Sequence, residues 1–85
     1  MQQVKTKISG VGAFVPKNVY TNFDLEKMLD TSDEWIQQRT GIVKRHWASP
    51  EDTTSDLALK ASLEALEDAD LKAEDIDMII FATLS

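Results

Sequence analysis

The chain has 85 residues, of which 42% are hydrophobic and 28% are charged. This composition is typical of a globular protein and excludes a collagen-like, fibrous or disordered chain. The 15 acidic residues outnumber the 9 basic ones, and the net charge of −6 disfavours nucleic acid or an anionic membrane as the main partner. There is no cysteine, so disulfides, thiolate metal sites and a cysteine nucleophile are excluded within these residues.

Neither a membrane anchor nor a signal peptide is predicted. The longest apolar run, 78–82, is far shorter than the roughly 20 residues that span a bilayer. The first five residues lack the apolar centre of a signal peptide. We therefore expect a cytoplasmic location, and at this length one domain at most.

The first segment predicts a short strand. Residues 4–8 alternate apolar and polar side chains, which is the period of a half-buried strand, and Gly10 and Gly12 then weaken or bend it. A glycine pair also occurs in dinucleotide-binding loops, but Val15 stands where that loop needs a third glycine and Pro16 prevents a helix there. We interpret the two glycines as close backbone packing or a bulge.

Two short helices follow a turn at residues 16–18. Thr21 or Asn22 can cap the first, whose apolar residues roughly follow helical spacing: Phe23, Leu25, Met28 and Leu29.

The second helix is predicted over residues 32–40. Thr31 and Glu34 have the spacing of a capping box, and acids near the start suit the helix dipole. Gly41 can end the helix in the left-handed conformation.

The following segment predicts an extended strand at 42–48, a turn at 49–52 and a long helix at 56–69. The long helix carries one stripe rich in alanine and a second of leucines, so we expect it to be buried over a wide arc. Three hydroxyl residues can cap it: Thr53, Thr54 or Ser55.

The apolar run at 78–83 has no alternation, which is typical of a strand covered on both faces. With the strand at 4–8 and the long helix it gives a β-α-β order and predicts parallel pairing and helical layers. Such a strand requires more covering helices than 85 residues supply. We therefore expect residues 1–85 to be the amino-terminal portion of a larger α/β protein. The alternatives are a complete small domain or a dimer that covers the strand.

The stretch between Trp35 and Pro50 contains no acid but three basic residues, Arg39, Lys44 and Arg45. Trp35 and Arg39 are four residues apart, so they share one face of the second helix. An indole and a guanidinium side by side can sandwich a flat ring such as adenine. Lys44 and Arg45 suit phosphates if the chain folds them nearby. The Trp35 and Arg39 pair can equally be a local helix contact.

The second helix and the segment before it resemble a known family. The stretch 22–36, NFDLEKMLDTSDEWI, followed by Arg39-Thr40-Gly41-Ile42, closely resembles the amino-terminal signature of ketoacyl-acyl-carrier-protein synthase III. The resemblance covers essentially the whole chain. Its outer parts are Gly10-x-Gly12 with Pro16, Arg45-His46, Asp75-Ile76-Asp77 and Ala82-Thr83-x-Ser85.

The resemblance implies an α/β fold of the thiolase type, with two duplicated β-α-β halves in an αβαβα arrangement and a mixed sheet packed by helices. This chain would supply part of the first half. The resemblance further implies a homodimeric acyltransferase that moves an acyl group from coenzyme A to a cysteine. The enzyme then condenses it with malonyl-acyl carrier protein, with loss of carbon dioxide, in the first elongation step of fatty-acid synthesis. The expected partners are acyl-coenzyme A, acyl carrier protein and the remainder of the same enzyme, without a separate cofactor or metal.

Three residues match the family's coenzyme A contacts: Thr31, Trp35 and Arg39. The tryptophan and arginine would flank the adenine, whereas Thr31 is either a contact or only the helix cap. Lys44 and Arg45 either serve the phosphates or remain solvated. The catalytic cysteine, histidine and asparagine of the family lie downstream, so the resemblance implies no catalytic residue here and an inactive chain by itself. His46 has no cysteine or serine placed for it to activate, and we interpret it as a surface or packing residue.

Three alternative functions differ in how well they fit the sequence. Condensing enzymes of secondary metabolism share the pattern, and their specificity pockets lie mostly beyond Ser85. A stand-alone coenzyme A or nucleotide-binding module requires the chain to fold and bind by itself. An acyl carrier protein does not fit, because Ser55-Asp56-Leu57 reverses the order of the carrier's attachment site and strands do not belong in a helical bundle.

Overall fold

The structure is a computed structural model that describes residues 4–84. Two compact units share the chain, one formed by Val15–Thr53 and the other by the segments on either side of it. The elements in chain order are β1 (Asn18–Thr21), α1 (Asn22–Met28), α2 (Asp33–Thr40), β2 (Lys44–Trp47), α3 (Thr54–Ala69) and a 3-10 turn at Ala73–Asp75.

In the unit Val15–Thr53, β1 and β2 pair as an antiparallel ribbon. The register places Asn18 opposite Trp47 and Thr21 opposite Lys44. The ring of Tyr20 stacks on that of Trp47 with centroids 4.2 Å apart, which adds a diagonal cross-strand contact. β2 lies within the predicted strand, whereas β1 was not predicted, because the turn at 16–18 was expected to lead directly into a helix.

α1 begins with the predicted cap at Thr21. The Thr21 hydroxyl accepts a hydrogen bond from the Asp24 N–H at 3.2 Å, and the Asp24 carboxylate accepts one from the Thr21 N–H at 2.8 Å. The two bonds form a capping box. They lower the pKa of Asp24, chiefly through the Thr21 backbone N–H and then through its hydroxyl.

α2 lies where the sequence predicts, but its cap is a different residue. The predicted capping box at Thr31 is wrong, because the N-cap is Ser32, whose hydroxyl accepts a hydrogen bond from the Trp35 N–H at 3.1 Å. Ser32 still has extended backbone angles, φ −141° and ψ 153°, so the helix starts one residue later than the spacing indicates. Gly41 ends the helix in the left-handed conformation with φ 72°, as predicted.

The predicted turn after β2 is also present. The Asp52 N–H donates to the Ser49 carbonyl at 2.9 Å, and the Asp52 carboxylate accepts from the Ser49 N–H at 3.2 Å. This turn leads the chain to α3.

In the other unit, α3 packs closely on the segment that contains the two glycines. A Cβ at Gly12 would lie 2.3 Å from the Ala61 carbonyl oxygen, and one at Gly10 would lie 2.7 Å from the Ala65 carbonyl oxygen. Only glycine permits such an approach of two backbones. The prediction of close backbone packing is confirmed, and the small alanines of α3 provide its surface.

Two predictions for this unit are wrong. Within residues 4–84, the only sheet is the β1–β2 ribbon, and the segments 4–8 and 78–83 belong to none. A strand forms only by pairing with a neighbour, and the described chain offers these segments no paired neighbour. The leucine stripe of α3 is not buried either, since Leu59 and Leu63 are 57% and 55% exposed. No residue of α3 is fully buried, and its half-buried residues are Ala58, Ala61, Ala65 and Ala69 with Leu57 and Leu66.

Among the helices between residues 4 and 84, none is both long enough and apolar enough to cross a bilayer.

Candidate functional site

One face of α2 carries the predicted pair of aromatic and cationic side chains. The Arg39 guanidinium carbon lies 5.3 Å from the centroid of the Trp35 ring, which is within cation–π range. Trp35 remains 53% exposed. An indole this exposed presents a large flat surface on which a planar group can stack.

The contact between the two side chains leaves no room for a ring between them. A sandwiched ring needs two stacking contacts of about 3.5 Å each, or about 7 Å in all, whereas the Arg39 carbon lies 5.3 Å from the Trp35 centroid. A planar ligand must therefore stack on the open face of the indole, or enter as the guanidinium moves outward. Arg39 is exposed, so its long side chain can make that movement.

A shallow cleft lies beside the indole. It has a volume of about 320 Å³ and is lined by Asp30, Thr31, Ser32 and Trp35. Thr31 lines this cleft but is not the helix cap, because Ser32 caps α2. The structure thus brings Thr31 and Trp35 to one cleft, with Arg39 over the ring.

A buried asparagine, Asn22, connects the elements around α2. Its side chain is 0% exposed, and its amide nitrogen donates to Asp33 Oδ1 at 2.8 Å and to the Ile42 carbonyl at 2.7 Å. The Arg45 guanidinium donates to Asn22 Oδ1, and to the Tyr20 carbonyl at 3.0 Å. Both amide hydrogens and the amide oxygen of Asn22 are therefore paired, as burial of a polar group requires.

Asp33, the first residue of α2, extends this network. Its carboxylate also accepts hydrogen bonds from the Gln37 amide at 2.8 and 2.9 Å, and its N–H donates to the Glu26 carboxylate at 3.0 Å. The hydrogen bonds from Gln37, and then from Asn22, lower the pKa of Asp33. A charged carboxylate at this position also interacts favourably with the helix dipole.

Known proteins share this sequence closely. Over 76 residues the chain is 59% identical to the beta-ketoacyl-[acyl-carrier-protein] synthase III of Fusobacterium nucleatum, a match that covers 89% of this chain and 23% of that protein. Over 84 residues it is 57% identical to the synthase of the same name from Caldanaerobacter subterraneus, covering 99% of this chain and 25% of that protein. The chain is homologous to a segment of beta-ketoacyl-[acyl-carrier-protein] synthase III. It spans about a quarter of the length of these curated relatives.

Solved structures agree with this homology, although no protein-family profile matches the chain. The 3-oxoacyl-[acyl-carrier-protein] synthase III of Aquifex aeolicus superposes with a TM-score of 0.80 at 55% identity, covering 86% of this chain and 23% of that one. The priming beta-ketosynthase of the R1128 polyketide pathway superposes with a TM-score of 0.79 at 35% identity, covering 84% and 21%. The predicted fold class, α/β and part of a thiolase-like fold, is confirmed.

The two cations predicted for phosphates, Lys44 and Arg45, are neighbours on β2. Neighbouring residues of β2 point to opposite faces, which separates the Lys44 and Arg45 side chains. Lys44 is exposed, whereas Arg45 is half-buried and bonded to Asn22 and Tyr20. A phosphate role for either residue stays a prediction.

His46 lies on the same strand and makes a structural contact. Its Nδ1 contacts the Pro16 carbonyl. The contact ties β2 to the segment before β1, and His46 is exposed, which fits its interpretation as a surface or packing residue.

The sequence alone indicates only a helix-cap role for Asn22 and does not indicate its place in this network with Asp33 and Arg45. Thr21 and Asn22 are both good caps, yet a helix uses only one. Since Thr21 is the cap, Asn22 is not needed for capping and has another role. The complete burial of Asn22 could not be predicted from the sequence, because asparagine is mostly exposed in proteins.

Proposed function

We propose that this chain is part of a beta-ketoacyl-[acyl-carrier-protein] synthase III. The enzyme would condense acyl-coenzyme A, typically acetyl-coenzyme A, with malonyl-acyl carrier protein, release carbon dioxide and coenzyme A, and start fatty-acid elongation. The support is the identity of 57–59% to two synthases of that name across most or all of the chain. Acyl carrier protein, the remainder of the enzyme and a second subunit would be its partners.

The part that this chain would play is to bind the adenine end of coenzyme A. The observation that carries this proposal is the exposed Trp35 ring with Arg39 lying over it at 5.3 Å. Adenine would stack on the indole, and the Arg39 guanidinium would move to cover its other face. Thr31, which lines the adjoining cleft, would contact the same ligand through its hydroxyl. Coenzyme A enters as a thioester substrate, and no separate cofactor is part of the proposal.

The covalent chemistry would come from residues outside this chain, since the 85 residues contain no cysteine. The acyl group would leave the coenzyme A thioester for a cysteine thiolate, and coenzyme A would depart as the thiolate, which takes a proton from water to become the thiol. The chain would hold the leaving coenzyme A by its adenine while that exchange occurs. Binding of a remote part of a substrate is an established way to position the reacting end.

A second candidate function is supported by one comparison. The priming beta-ketosynthase of a polyketide pathway matches 84% of the chain at 35% identity. A condensing enzyme of secondary metabolism would bind coenzyme A through the same three residues, Thr31, Trp35 and Arg39, and would use a different acyl group or carrier. The full-length protein distinguishes the two: release of carbon dioxide from malonyl-acyl carrier protein of fatty-acid synthesis, with acetyl-coenzyme A as primer, supports the first function. Release only with another primer or carrier supports the second.

The adenine role is tested by Trp35→Ala in the full-length protein. Stacking of a base on an aromatic side chain contributes about 1–3 kcal/mol, so we expect the dissociation constant of acyl-coenzyme A to rise roughly 5- to 140-fold. Acylation at saturating substrate should persist. Trp47→Phe is the matched control, because it changes the other tryptophan while keeping a ring against Tyr20. Unchanged affinity in Trp35→Ala would remove the adenine role.

A further inference from the structure

The position of α2 depends on polar contacts more than on hydrophobic packing. The helix has eight residues, and Ile36 is its one buried residue. Helices this short receive little stability from their own hydrogen bonds. The Asn22 amide reaches Asp33 at the start of α2 and the Ile42 carbonyl just beyond its end. One side chain therefore holds both ends of the helix.

We propose that Asn22 is a positioning residue for coenzyme A, which sets the placement of α2, and so of the Trp35 ring, through its hydrogen bonds to Asp33, Ile42 and Arg45. This inference rests on the proposed function of Trp35. Asn22 touches no ligand itself, because its side chain is fully buried.

Asn22 influences the position of the indole through Asp33 and the first turn of α2. Trp35 follows Asp33 by two residues, and its N–H is held by the Ser32 hydroxyl that immediately precedes Asp33. Movement of Asp33 is thus transmitted to the Trp35 backbone within the first turn of the helix. A binding group needs to be held within about 0.5 Å of its productive position. Loss of the Asn22 amide would release this turn and misplace the ring.

Arg45 completes the arrangement from the strand side. Its guanidinium links Asn22 Oδ1 to the Tyr20 carbonyl of β1. The backbone N–H of Asn22 also donates to the Val43 carbonyl at 3.0 Å. Asn22 is therefore fixed by the β1–β2 ribbon on one side and fixes α2 on the other, so the ribbon serves as the support for the helix.

The test measures coenzyme A binding and melting temperature for variants of the full-length protein, with coenzyme A itself as the probe. Asn22→Ala should weaken binding about tenfold, within the usual range for coupled sites, while kcat at saturating acyl-coenzyme A stays near wild type. Adding Asn22→Ala to Trp35→Ala should cause no further loss, because no ring remains to be misplaced. The exchange of Asn22→Asp with Asp33→Asn should restore only part of the affinity, because the carboxylate at position 22 cannot donate to the Ile42 carbonyl. The amide at position 33 then donates to the carboxylate at position 22, which Arg45 still contacts.

A matched control separates positioning from stability. Ser62→Gly, on the exposed side of α3, lowers helix propensity without touching the network. It should lower the melting temperature and leave the coenzyme A dissociation constant unchanged. If Asn22→Ala does not fold, the exchange variant and its combination with Trp35→Ala decide the question.

Two contrary results are distinguishable. If Asn22→Ala lowers only the melting temperature, or if its loss of affinity adds fully to that of Trp35→Ala, the positioning role is overturned and the proposed function stands. If Trp35→Ala alone keeps wild-type affinity, the proposed function fails, and this inference fails with it.

Discussion

The two units of the chain are stabilised in different ways. In Val15–Thr53, side chains and backbone are joined by a polar network around Asn22, and both short helices have side-chain caps. In the unit that contains α3, the backbones of Gly12 and α3 lie so close that a Cβ at Gly12 would be 2.3 Å from the Ala61 carbonyl oxygen. Its apolar run is open, and Ile80 is 88% exposed.

The two units differ in whether the contacts that stabilise them lie within the unit itself. The hydrogen bonds of the Asn22 side chain join residues 11 to 23 positions apart, and all of these partners lie within Val15–Thr53. Apolar side chains in the other unit require a covering surface, and a strand requires neighbours. The candidate ligand-binding helix belongs to the unit Val15–Thr53, which also contains the Asn22 network.

The largest expected effect tests the backbone contact of the second unit. Gly12→Ala places a Cβ where only 2.3 Å separates it from the Ala61 carbonyl oxygen, so we expect a loss of about 3 kcal/mol, at the upper end of overpacking. Gly41→Ala is the control, because its Cβ would meet open space and only the positive φ of 72° is unfavourable, which costs about 1–2 kcal/mol. Denaturant unfolding of the full-length protein measures both. Equal losses would mean that the close approach is not what holds α3.

A smaller effect tests which hydroxyl caps α2 in the first unit. Ser32→Ala removes the acceptor for the Trp35 N–H and should cost about 1 kcal/mol. Thr31→Ala should leave stability nearly unchanged while weakening the proposed ligand contact. Hydrogen exchange of the Trp35 amide reports the cap directly. Faster exchange in Thr31→Ala than in Ser32→Ala would show that Thr31 is the cap, as the spacing of Thr31 and Glu34 predicts.

The smallest effect is a pH dependence of the cap on α1. The Thr21 N–H lowers the pKa of Asp24 below its ordinary 3.8, so the carboxylate stabilises the folded chain fully above that pH. The contribution is lost as pH falls through the lower folded-state pKa. An NMR titration should show the Asp24 carboxyl and the Thr21 amide changing together with a midpoint below 3.8. In Asp24→Asn the Thr21 amide should not titrate in this range. A midpoint at or above the ordinary value would show that the box does not form in solution.

The parts that the sequence predicted are those governed by neighbouring residues. The cap at Thr21, the left-handed Gly41 and the turn at 49–52 each depend on contacts within four residues, and all are present. The Trp35 and Arg39 pair follows from helical spacing and is also present.

The parts that were missed depend on contacts distant in sequence. The pairing of β1 with β2 joins Asn18 to Trp47, and the burial of Asn22 depends on Arg45 and Ile42. Neither follows from local propensity. The choice of Ser32 over Thr31 was missed for another reason, since two adjacent hydroxyl residues have nearly the same capping preference.

The strand predicted at 78–83 shows the limit of hydrophobic pattern. An apolar run indicates that a segment prefers burial, but it does not supply the neighbours with which a strand pairs. Whether these residues pair with other parts of a synthase stays a prediction.

The most direct test of the central claim compares coenzyme A with 4′-phosphopantetheine, which lacks the adenosine portion, on the full-length protein. If adenine stacks on Trp35, the wild type binds coenzyme A more tightly than the shorter ligand, and Trp35→Ala removes most of that difference while leaving affinity for the shorter ligand unchanged. If Trp35→Ala keeps the full preference for coenzyme A, adenine does not bind to this face of α2.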